Sequence, residues 1–164
     1  MSVQQNVSRP RTGIIWWQLW LVTMSVLVWL HGGSLSPTDP ALLANPDAPA
    51  IFVFDKPFLE STQISFARLQ FIFESVLESL QDREHKVCVG VQADEIFMFA
   101  QSRNLTEIHV THVPSPELDR TLEALEQQGL KVVMHHLERL TSFSGRVKRF
   151  SAFWRAVERE VWRQ

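Results

Sequence analysis

Cysteine is nearly absent from this 164-residue chain: Cys88 stands alone, which excludes an internal disulfide and fits a reducing compartment. A strong excess of one charge is missing too. The formal net charge is −2, so the chain as a whole has no basic character to draw it to nucleic acid. No internal repeat or low-complexity tract occurs. Neither Gly-x-Gly-x-x-Gly nor Gly-x-x-x-x-Gly-Lys-Ser/Thr is found, so the two common glycine-rich phosphate loops are lacking. What remains is an ordinary globular composition, 45% hydrophobic and 21% charged, enough for one packed domain.

The charge is unevenly placed. Residues 146–163 carry six basic side chains against Glu158 and Glu160, and Arg9 and Arg11 add two more positive charges near the start. By difference the body between them is about −8, an acidic domain with a basic C-terminal segment.

Residues 25–42 organise the rest. Val26, Leu27, Val28, Trp29 and Leu30 form a continuous apolar run, the pattern of a strand buried on both faces of a parallel sheet, and His31, Gly32 and Gly33 follow where the backbone leaves the sheet. Upstream, residues 13–30 hold eighteen positions without a charge, at the lower edge of what crosses a bilayer. Their last third is needed for the central strand. The remaining stretch, 13–23, is too short at about 1.5 Å per residue for a layer of roughly 30 Å. Residues 1–23 are therefore read as an N-terminal extension, either poorly ordered or interfacial through Trp16, Trp17 and Trp20. Met24 is an alternative start, and residues 24–164 are one α/β domain. The expected location is cytoplasmic, with peripheral membrane contact through residues 13–23 as the alternative.

Downstream, prolines 37, 40, 46 and 49 leave little room for a long helix, residues 50–55 form a second buried strand closed by Lys56-Pro57, and residues 64–80 show helical spacing. Strands are expected at 87–91, 107–113 and 131–135. Helices are expected from an Asp94 N-cap to Ser102, from a Ser115-Pro116-Glu117 start to Gly129, and from Phe150 onward. Strand and helix alternate, which predicts an α/β fold: a five-stranded parallel, doubly wound, Rossmann-like sheet with helices on both faces.

Several segments, in order, resemble the N-terminal α/β domain of photolyases and cryptochromes. They are Leu27-Val28-Trp29, Thr38-Asp39-Pro40-Ala41-Leu42, the strand at 51–55, Phe71-Ile72-Phe73-Glu74-Ser75-Val76, and Phe150-Ser151-Ala152-Phe153-Trp154-Arg155. The resemblance spans about residues 24–159. It departs at the first loop, where the family's Phe-Arg-x-Asp-Leu-Arg is matched by Leu30, His31, Gly32, Gly33, Ser34 and Leu35, without a charge. It departs again where the family's Gly-Asp-Pro is matched by Val91-Gln92-Ala93. The family's helical domain, which holds flavin adenine dinucleotide and the lesion pocket, has no counterpart in this sequence. The resemblance therefore implies no flavin adenine dinucleotide site and no catalytic residue. The chain is not expected to be an enzyme, and light-driven DNA repair ranks last.

Two functions are expected. One is a non-catalytic accessory subunit that docks on another protein or a light-harvesting assembly through Phe150, Phe153, Trp154, Arg155 and Trp162 of the C-terminal helix. The other is a small-molecule module that binds a folate, deazaflavin, flavin or nucleotide at the sheet's carboxyl edge, with His31, Gly32, Gly33 and His112 as candidate walls. His135 and His136 point to opposite faces of their strand and cannot easily share a metal, so no metal site is assigned.

Overall fold

The structure is a computed structural model that describes residues 25–138 and 141–162. The N-terminal extension, the interfacial tryptophans 16, 17 and 20, and Met24 lie outside the described residues. The elements in order are β1 (Val26–Trp29), α1 (Pro40–Ala44), β2 (Ala50–Asp55), α2 (Lys56–Ser61), α3 (Phe66–Leu80), β3 (His85–Gly90), α4 (Gln92–Ser102), β4 (Glu107–His112), α5 (Pro116–Gln127), β5 (Lys131–His136) and α6 (Phe150–Val161).

All five strands are parallel, in the order β3-β2-β1-β4-β5, so the apolar run is the central strand, as its composition predicts. Alternation along β1 splits the core into two layers. Leu27 and Trp29 join Ile96, Phe99, Leu118, Leu122 and Leu125 of α4 and α5, whereas Val28 and the following Leu30 join Ala41, Leu42, Val76 and Leu80 of α1 and α3. Each of the buried Val, Leu, Ile and Phe side chains among them contributes about 1.5–3 kcal/mol of transfer free energy. Among the described residues no helix is long and apolar enough to cross a membrane.

Two short helices appear where the sequence suggested only loop. α1 starts at Pro40 because the buried Asp39 side chain accepts from the N–H groups of Ala41 and Leu42 at 2.9 and 3.0 Å. Lys56-Pro57 does not merely close β2. A proline costs nothing in the first turn, and Asp55 accepts from Phe58 N at 3.2 Å, so the pair opens α2.

Asp94 is not an N-cap. α4 begins two residues earlier, because Asp55 Oδ1 reaches across from β2 to accept from Gln92 N at 3.2 Å, which leaves Asp94 and Glu95 in the first turn, where their charge suits the helix dipole. The α5 start follows the expected pattern: Ser115 Oγ accepts from Leu118 N, Pro116 leads the helix, and Gly129 at φ +91° lies just beyond its end.

Candidate functional site

A doubly wound sheet opens a crevice at the carboxyl ends of its strands where the winding direction reverses, here between β1 and β4. A cavity of about 300 Å³ lies at that place. Its floor and walls are Trp29 of β1, the turn His31-Gly32-Gly33, Phe52 to Asp55 of β2, Phe58 and Leu59 of α2, Ile64 from the loop before α3, and Leu69 and Ile72 of α3. Gln92, Val113, Ser115, Glu117 and Leu118 complete it. The volume is at the lower end of small-molecule pockets, and the lining has the usual character of one: apolar and aromatic with a few polar groups.

The turn after β1 is held from inside. His31 Nε2 lies 2.7 Å from the Thr111 carbonyl oxygen, which only accepts, so Nε2 carries the proton. Nδ1 then accepts from Gly33 N–H at 3.2 Å. Both ring nitrogens are engaged, so His31 forms a wall of the cavity and offers it no free nitrogen. Burial pushes its pKa below 6.5, in opposition to its bond with Thr111. Gly33 is required for close approach: a Cβ there would stand 2.9 Å from Val113 Cγ2 and 3.2 Å from the His31 ring. Gly32 faces open space.

Beyond the turn, Ser34 Oγ donates to Asp39, and Ala41 N also donates to Thr111 Oγ1 at 3.1 Å, so the loop, α1 and the end of β4 form one hydrogen-bonded unit.

Trp29, whose side chain packs in the core layer beneath α4 and α5, has an unusual feature of its own. The side chain is 1% exposed, and its Nε1–H is the buried side-chain polar atom without a hydrogen-bond partner among the described residues. A buried indole N–H normally finds an acceptor, and leaving a donor unpaired costs about 1–3 kcal/mol.

The other candidates separate. His112 is not part of the cavity lining: it sits across from His136, ring centroids 5.8 Å apart, with Asp119 at 3.7 Å from its Nε2. His135 turns to the opposite face of the sheet, as strand periodicity requires, and its Nε2 meets His109 Nδ1 at 2.8 Å. His109 Nδ1 also takes the Asn45 amide at 2.8 Å, and its Nε2 is 2.9 Å from Glu107, which Lys131 bridges from β5 at 2.9 Å. This second cluster ties α1 to β4 and β5. Among the described residues no group of three or more His, Cys, Asp or Glu side chains is arranged to hold a metal.

On α6, Phe150 and Trp162 are 71% and 75% exposed, Phe153 and Trp154 are half-buried, and Val157 is buried. Phe150 stacks on Trp154 at 6.1 Å, Trp154 meets Trp162 edge-on at 6.5 Å, and Phe143 packs edge-on against Phe153 at 5.3 Å. Arg155 is exposed and, among the described residues, bonds to the Ser151 carbonyl of its own helix. The aromatic side chains thus form a continuous patch that remains largely open.

Asp55, Gln92 and the unpaired Trp29 donor were not singled out in the sequence. Two signals pointed to them: a carboxylate that ends an otherwise apolar strand at the ligand-binding edge, and a tryptophan inside a run with no polar neighbour to accept its proton.

The buried His31 makes stability pH-dependent. Its folded-state pKa lies below the ordinary 6.5, so the unfolded chain takes up the proton first as the pH falls. Stability from this group is fully present above about pH 6.5 and declines below it, by at most about 1.4 kcal/mol per pH unit, until the folded-state pKa is reached. His135, lowered by burial and by His109, adds in the same direction. Denaturant melts at pH 7.5, 6.5 and 5.5 should show a falling midpoint in the parent chain and a shallower fall in His31→Gln. Parallel profiles would remove His31 from the explanation.

No protein-family model matches the chain, and no curated protein matches it.

Proposed function

We propose that the domain binds a small planar molecule in the cavity between β1 and β4. The observation that carries this is the cavity itself, apolar and aromatic with a few polar groups, at the carboxyl edge where α/β sheets bind ligands. A planar ring system would pack there against Phe54, Phe58 and Leu69. The resemblance to an antenna-chromophore domain supports the same reading and suggests a folate, deazaflavin or flavin ring as the occupant.

Riboflavin is a practical probe. Titration should give saturable one-to-one binding with quenched tryptophan emission, and protein purified from its native cell should absorb in the near ultraviolet or blue. A colourless protein that takes up neither riboflavin nor a folate or deazaflavin would defeat the proposal.

A second reading, docking as an accessory subunit of a larger assembly, is supported by the exposed Phe150 and Trp162 beside the basic Arg155 and Arg159. Its test is affinity capture from native cells with the parent chain and with Trp154→Ala/Trp162→Ala. An unchanged set of captured proteins would sink it.

A further inference from the structure

β3 (His85–Gly90) forms one edge of the sheet, with β2 as its strand partner among the described residues. A sheet edge leaves a row of backbone N–H and C=O groups unpaired, and proteins usually blunt it with proline, a bulge or outward charge. β3 has none of these. It is free of proline, its register with β2 is unbroken, and Lys86 is folded back onto Glu95 of α4 at 2.8 Å. Ala50 N donates to the Glu84 carbonyl at 2.9 Å, and a parallel ladder repeats every second residue. Lys86, Cys88 and Gly90 therefore turn their backbone groups to β2, while those of His85, Val87 and Val89 point outward.

The face of β3 beneath α3 is also thinly covered. Cys88 packs with the layer under α4 and α5, Val87 with the layer under α3, so strand alternation puts Val89 on the α3 side, where it is 60% exposed. On α3, Val76 and Leu80 are buried, and Phe66, Phe73 and Leu77 share one flank of that buried stripe at 80%, 44% and 39% exposure. A right-handed crossover from β2 through α3 to β3 turns this flank toward the free edge. These four exposed side chains present about 350 Å² of apolar surface. A standard interface buries about 800 Å² on each side, somewhat over half of it apolar, about 450 Å². The α3 flank and Val89 thus supply most of the apolar area that a stable dimer needs.

We infer that a second copy of this chain docks here, β3 against β3 and antiparallel, about a two-fold axis that passes through Val87 and stands perpendicular to the sheet. The outward residues match themselves in that register. Val87 meets Val87 of the partner subunit and His85 meets the partner's Val89, each as a hydrogen-bonded pair, so two five-stranded sheets become one. Such an axis keeps both α3 helices on the same face, where their apolar flanks meet over the seam. A foreign strand would satisfy the backbone but bring no matching helix. Charge does not oppose the contact, because ions near the edge are paired within each copy, Lys86 with Glu95 and Arg103 with Glu84.

Sedimentation equilibrium of the full chain should show a monomer–dimer equilibrium with a dissociation constant of about 10 μM or tighter. Val89→Lys and Phe66→Glu, both at exposed positions, should each weaken dimerisation at least about tenfold and leave the far-ultraviolet circular dichroism unchanged. Crosslinking reads the register. With Cys88→Ser as background, Val87→Cys should join two copies on mild oxidation, since facing Cα atoms stand about 5.5 Å apart, whereas Val89→Cys should not.

A parent chain that stays monomeric overturns the proposal, and slow amide exchange at Val87 and Val89 in that monomer would assign the edge to another segment of the same chain. A dimer that Val89→Lys leaves intact overturns it as well, because the seam then lies elsewhere. Crosslinking of Val89→Cys in place of Val87→Cys overturns the register, and species that grow beyond the dimer with concentration overturn the closed two-fold arrangement.

Discussion

Asp39→Ala should lower the unfolding free energy by about 3 kcal/mol, a loss expected for a core truncation rather than for a loop carboxylate. Asp39 is 2% exposed and accepts from Ser34 Oγ, Ala41 N and Leu42 N. Loss of an N-cap costs about 1 kcal/mol, and two buried donors left without an acceptor cost about 1–3 kcal/mol more. Ala41 N retains Thr111 Oγ1 at 3.1 Å, which limits the damage to Leu42 and Ser34. Asp39→Asn provides the contrast. Its amide oxygen can still accept from the helix N–H groups and its NH₂ can donate to Ser34 Oγ, so it should lose only about 1 kcal/mol. Urea melts of the three proteins decide the matter. A deficit below about 1 kcal/mol in the alanine variant would mean that α1 is not anchored through this side chain.

The same loop carries the cavity turn, since Ser34 N donates to the His31 carbonyl at 3.0 Å and Ser34 Oγ to Asp39. Asp39→Ala should therefore weaken riboflavin binding as well, although Asp39 does not line the cavity. Stability and ligand geometry are coupled here because a single hydrogen-bonded unit holds both.

How much of this could be read in the sequence depends on the range of the interaction. The central strand was legible because an uninterrupted apolar run has one economical use in an α/β fold, and the Ser115-Pro116 helix start because cap and proline are adjacent. The opposite orientation of His135 and His136 followed from strand periodicity alone. α1 and α2 escaped notice because helices of five and six residues are too short to show a periodic stripe. Asp94 misled because it satisfies a local capping rule, whereas the group that holds the first N–H of α4, at Gln92, is Asp55, 37 positions from it. The His109 cluster has the same character: its partners Asn45 and His135 are 64 and 26 positions distant, separations across which sequence pattern carries no information. For the cavity, the sequence located the turn at 31–33 on the carboxyl edge, but not the Asp55 carboxylate that lines it and accepts from the starts of α2 and α4. Its significance depends on what surrounds it in three dimensions.

Trp29→Phe should leave the stability of the fold nearly unchanged, although it removes part of a ring from the core. Replacing a buried tryptophan by phenylalanine usually costs stability, because part of a ring is removed from a packed core. Here two contributions oppose each other. The lost ring atoms forfeit about 1–2 kcal/mol of burial and packing, and removal of an N–H that has no acceptor among the described residues returns about 1–3 kcal/mol. The unfolding free energy should consequently stay within about 1 kcal/mol of the parent. Urea melts of the parent and the variant measure the difference, and a variant that loses about 3 kcal/mol would show that the Trp29 N–H is satisfied within the fold.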